Sequence, residues 1–119
     1  MPRLPSERQI RRLEDILDNI ARIERFTADL DFAAFAEGEQ VIFAVFHALL
    51  IISEAARRLQ SDAEQLMPDQ PWPAIRAIGN VLRHQYDDVD ALRIWQLVHA
   101  DLPSLRLSVE RALIELRKA

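Results

Sequence analysis

Residues 76–90 of the chain, RAIGNVLRHQYDDVD, collect Arg76, Asn80, Arg83 and His84 at the spacing i, i+4, i+7, i+8. At about 100° per residue, that spacing puts all four on one broad face of a helix. Ile75, Ile78 and Leu82 fall on the opposite, core side. Imidazole can take and give protons near pH 7. A guanidinium matches a phosphate with paired N–H donors and stabilises developing negative charge. An amide such as Asn80 can orient an attacking hydroxyl or hold the histidine ring. This is the equipment for cleaving a phosphodiester. The same residues also compose an ordinary solvated helix face, so spacing alone does not assign the activity.

The other two histidines read differently. His47 sits inside an apolar run and is expected to be a core or interface histidine with one hydrogen bond. His99 closes the fourth predicted helix, where a cation suits the helix dipole. Neither has a ligand partner at i+4, and the chain has no cysteine, so no metal and no cofactor is expected. Asp87, Asp88 and Asp90 lack the glycine and later glutamate of an EF-hand. Helix capping explains Asp90 better. Trp72 and Trp95 are expected to be core pillars.

The elements that position this face are helical. The 119 residues predict one domain spanning 1–119, and 2 glycines argue against a turn-rich β fold. The net charge of −4 argues against a general nucleic-acid coat protein, while leaving room for a small basic patch in a cleft. The first residues, MPRLPSERQIRRLEDIL, lack the apolar core of a signal peptide. The most apolar run, VIFAVFHALLII at 41–52, would rise only ~18 Å as a helix. A bilayer core needs ~30 Å. No membrane association and a cytoplasmic location are therefore expected.

Five helices are predicted. The first covers 6–25, with Ser6 and Gln9 at capping-box spacing and Ile10, Leu13, Ile16, Leu17, Ile20 and Ile23 at helical period. The second covers 37–60, preceded by a short turn at 32–37, with Gly38 marking an irregularity. It is apolar nearly all round, as in a central helix or one shared with a partner subunit. The motif DQPWP at 69–73 breaks the chain, and the third helix covers 73–86. Asp90 caps the fourth, 91–100. Asp101 and Pro103 open the last, which packs through Leu105, Val109, Leu113 and Leu116. Short linkers make neighbours antiparallel, giving an all-α, up-and-down bundle of four to five helices. The oily second helix predicts a homodimer.

The chain resembles the HepT-like group of the HEPN superfamily. The resemblance rests on IISEAARRL at 51–59, on Pro71-Trp72, on GNVLRHQYDDVD at 79–90, and on Trp95 and Leu102-Pro103 following in order. The family signature is R-x4-H-x-Y, commonly with Asn after the Arg. Asn80, His84 and Tyr86 stand at the matching positions, and Gly79 stands where the family has Arg. The resemblance implies a homodimer whose motif helices line a shared cleft. It implies a toxin that cuts RNA without a metal, with a small nucleotidyltransferase as antitoxin, in a type VII-like pair. It also implies Tyr86 as the substrate-side residue that the antitoxin adenylylates. His84 is then the general acid/base and Asn80 its positioning group. Arg83 and Arg76 are the two candidates to replace the missing phosphate clamp. The alternative reading is a catalytically degenerate HEPN dimer that binds RNA, nucleotide or antitoxin. A purely structural helical dimer is the third.

Overall fold

A computed structural model describes residues 5–83 and 90–118; within it, no side-chain description is given for Pro5 or for residues 81–83. His84, Tyr86, Asp87 and Asp88 lie outside the described residues. Helices account for nearly all of the rest, with no strand among the described residues.

α1 spans Pro5–Thr27. It buries Leu13, Ile16, Ile20 and Ile23, the predicted stripe. It starts one residue before Ser6, so Ser6 lies in its first turn and is not the cap. Proline is well suited to a first turn because its missing N–H would have had no partner there. α2 spans Phe32–Glu37 and is capped by Asp31, whose Oδ1 accepts from the Ala34 N–H at 2.8 Å. The predicted short turn is thus a six-residue helix. Gly38 separates it from α3, Glu39–Leu59, and a Cβ at Gly38 would lie 2.7 Å from Val41 Cγ1.

α3 is the middle element. Its 21 residues are long and apolar enough to cross a membrane by length and composition. Here it packs between α1 and α5, with Val45, Ala48, Leu49, Ile52, Ala55, Ala56 and Leu59 buried. α4, Ser61–Leu66, was not anticipated, because six residues without apolar periodicity give little signal. It follows Gln60, which holds a positive φ of 53°. α5 spans Trp72–Arg83. Trp72 is fully buried, and its indole N–H donates to the Met67 carbonyl at 2.8 Å.

α6, Ala91–Gln96, is capped by Asp90 as predicted, the carboxylate accepting from the Arg93 N–H at 3.1 Å. The expected break at Asp101 and Pro103 is absent. The chain continues through a π turn, Leu97–Asp101, directly into α7, Leu102–Lys118. Pro103 has no N–H to give and its ring would crowd the preceding turn of an α-helix. The wider π turn absorbs both. Trp95 is half-buried and not a full pillar, tilted against Phe35 at 5.2 Å. His99 stacks on it at 4.0 Å, and its Nδ1 pairs with the Trp95 carbonyl.

The long helices lie in the spatial order α5, α3, α1, α7. α1 and α7 are antiparallel, because Glu24 pairs with Arg106 and Glu14 with Arg117. α5 packs on α3 alone. Between α5 and the α6–α7 unit lies a cleft of about 560 Å³ lined largely by Ile75, Ile78, Leu97, Leu102 and Leu105. The expected all-α bundle is therefore present, open along one side.

Candidate functional site

The motif helix α5 begins at Trp72, held by the buried indole, and is pressed onto α3 along its length. Ile75 and Ile78 are buried, as their spacing predicted. Gly79 is buried too, and a Cβ there would stand 3.2 Å from Leu50 Cδ2. The glycine at the family's Arg position is thus a close approach of two helices, which offsets its helix cost of roughly 0.5–1 kcal/mol relative to alanine. Asn80, the next residue, is exposed. Arg83 is the last described residue of α5, and His84 and Tyr86 follow it outside the described residues.

Arg76 is on the helix where predicted, but its guanidinium is already committed. Nη1 donates to Glu64 Oε2 at 2.8 Å, and Nη2 donates to Glu64 Oε1 and to the Gln60 carbonyl. Nε donates to the Ala56 carbonyl at 3.3 Å. These contacts use four of the five N–H donors that a guanidinium carries. The side chain is 23% exposed. Arg76 thus ties α4 and the end of α3 to α5, and little of its donor set remains for a phosphate. Sequence reasoning did not find Glu64, because nothing local marks a carboxylate twelve residues away as a partner.

His47 is exposed, so the core alternative for it is wrong. Its neighbours in the sequence are apolar, yet it lies on the outer side of α3 with Phe43, which is 58% exposed. The error came from reading an apolar run as apolar all round. The buried arc of α3 spans one side only. Among the described residues, no group of three or more His, Asp or Glu side chains is placed to hold a metal ion.

Comparison with known proteins follows from this geometry. The family model described as "Ribonuclease HepT-like" matches residues 16–112. The chain belongs to the HepT-like ribonuclease family. It is 34% identical over 98 residues to "Putative RNase MJ1380" of Methanocaldococcus jannaschii, covering 82% of this chain and 90% of that protein. It is 37% identical over 99 residues to "Probable ribonuclease HepT" of Thermococcus cleftensis, covering 83% and 90% respectively. No solved structure matches. The matched region runs from the middle of α1 through most of α7, so the HepT-like unit is the bundle itself.

The Arg76–Glu64 fork has a pH signature. The Arg76 hydrogen bonds hold the Glu64 carboxyl below its usual value of 4.5, against a smaller opposing effect of burial. A carboxylate whose folded pKa is depressed adds stability above its unfolded pKa and loses it as pH falls through the folded one. Unfolding by urea across the acid range should show wild-type stability falling as pH drops. Glu64→Gln should show a shallower fall, with lower stability at neutral pH. An identical pH slope in the two proteins would show that the fork contributes nothing.

Proposed function

We propose that the protein is an endoribonuclease toxin of a type VII-like toxin–antitoxin pair, acting in the cytoplasm without a metal ion. The observation that carries the reading is the set Asn80, His84 and Tyr86 at the family's motif positions, on a helix that presents Asn80 to solvent. It is supported by membership of a ribonuclease family. His84 acts as general acid/base in attack of a ribose 2′-hydroxyl on the adjacent phosphate. Asn80 positions the reacting groups. Arg83 is the phosphate donor, and Arg76 contributes mainly by holding α5 in place, since its fork with Glu64 occupies it. The cleft is completed by a second copy, the two motif helices facing each other across a symmetric homodimer. Phe43 and the outer side of α3 supply apolar surface for that contact.

The partner is a small nucleotidyltransferase antitoxin that adenylylates Tyr86. AMP on that residue would put bulk and negative charge two residues from His84 and block RNA. A second reading, a degenerate dimer that binds RNA, nucleotide or antitoxin, is favoured by Gly79. Its position against Leu50 leaves no room for an arginine without displacing that side chain.

Cleavage of RNA by the wild type should persist in EDTA. His84→Ala should lower the rate by about 10²–10⁴, the usual contribution of a positioned acid or base. Activity that disappears in EDTA and returns with Mg²⁺ or Mn²⁺ would contradict the mechanism. An inert wild type awakened by Gly79→Arg would establish the degenerate reading instead.

Light scattering at micromolar concentration should give a dimer, and intact-mass analysis after co-expression with an adjacent nucleotidyltransferase should show added AMP. The added mass should be lost in Tyr86→Phe. A monomer, or AMP retained in that variant, would overturn the corresponding assignment.

A further inference from the structure

α3 and α5 are locked in a fixed antiparallel register. Leu50 lies against Gly79, and three residues further along α3 the Ser53 hydroxyl donates to the Arg76 carbonyl at 2.9 Å. Three residues up α3 therefore match three residues down α5. One turn before Leu50, the same register sets His47 level with residues 81–83, the last described turn of α5.

Burial fixes the direction. On α3, Val45, Leu49 and Ile52 are buried, while Phe43, His47 and Glu54 are exposed. On α5, Ile75 and Ile78 are buried and Asn80 is exposed. Two antiparallel helices that bury their inner residues on one side present their outer residues together on the other. His47 and Asn80 thus emerge on one surface, from axes roughly 8–10 Å apart and offset by about 3 Å along them. That span fits one phosphodiester and its flanking riboses.

His47 is also chemically available. Among the described residues it has no hydrogen-bond or ion-pair partner. The charged groups facing the same surface are otherwise engaged. Glu54 pairs with Arg58, Arg57 donates to the Arg76 carbonyl, and Arg76 is held by Glu64. Glu39 lies two turns away, towards the start of α3.

We propose that His47 is a second proton-transfer residue for RNA cleavage, working on the same phosphodiester as the motif histidine. The proposal rests on the ribonuclease reading. In the reaction, the 2′-oxygen forms a bond to phosphorus and the bond from phosphorus to the 5′-oxygen breaks. One imidazole receives the proton from the 2′-hydroxyl, and one imidazolium gives a proton to the departing 5′-oxygen. The products are a 2′,3′-cyclic phosphate and a 5′-hydroxyl, and the two side chains end with their protonation exchanged. Such a step needs two proton-transfer groups. The surface beside Asn80 holds His47 for one of them.

The test is the pH–rate profile of RNA cleavage in EDTA for wild type and His47→Gln, with light scattering on both. Wild type should give a bell-shaped profile. His47→Gln should keep its assembly, lose one limb of the bell, and fall by about 10²–10⁴ in kcat with KM little changed. Added imidazole should restore part of the rate to His47→Ala. An active wild type matched in rate and profile by His47→Gln would overturn this assignment and leave the ribonuclease reading standing. An inert wild type would overturn both. Loss of rate with both limbs retained and no rescue by imidazole would make His47 a structural residue.

Discussion

Arg76 is bound at both ends. Its guanidinium gathers the Ala56 and Gln60 carbonyls and the Glu64 carboxylate, while its own carbonyl accepts from Ser53 and Arg57. One residue thereby sets where α3 stops, how the chain turns at Gln60, where α4 lies, and at what height α5 runs along α3. Gln60 sits in a conformation that L-residues rarely adopt, and the bond from Arg76 to its carbonyl helps to keep it there. The motif face inherits its geometry from this fastening. Three residues beyond Arg76, Gly79 allows α5 to close on Leu50, and the next residue, Asn80, faces outward.

Committing Arg76 to structure has a functional consequence. A dimeric cleft that handles phosphate needs cationic donors, and the family's own arginine position is occupied by a glycine that is buried. With the Arg76 donors spent on Glu64 and two carbonyls, the phosphate role passes to Arg83. The protein has exchanged a side chain at position 79 for a tighter helix pair. In that arrangement, acid–base chemistry and the remaining cation carry more of the catalytic load than in a chain with the full signature.

Much of this architecture was legible in the residues. The stripe of α1, the breaks at Gly38 and at the DQPWP motif, and the Asp90 cap all follow from period and local chemistry. Each depends on neighbours within one or two turns. What escaped depends on distant partners. The α4 helix has no periodicity to announce it, and its Glu64 matters only through Arg76. Pro103 signals a break locally, yet a π turn carries the chain through it. His47 read as core because its sequence neighbours are apolar, whereas burial on α3 is decided by where α1 and α5 pack. On the site, the face composed of Arg76 and Asn80 could be placed on one helix from spacing. The engagement of Arg76 and the exposure of His47 could not, since both are set by tertiary contacts.

The account makes a single chemical commitment, that RNA is cut by attack of its own 2′-hydroxyl under acid–base catalysis from the α3–α5 surface. The most direct measurement is the identity of the ends produced when a defined RNA oligonucleotide is cleaved by the purified wild-type protein, read by mass spectrometry. The account predicts a 2′,3′-cyclic phosphate on the upstream fragment and a 5′-hydroxyl on the downstream one, with no cleavage of an oligonucleotide whose scissile ribose lacks the 2′-hydroxyl. A 5′-phosphate with a 3′-hydroxyl, or cleavage of the 2′-deoxy substrate at the same rate, would contradict it.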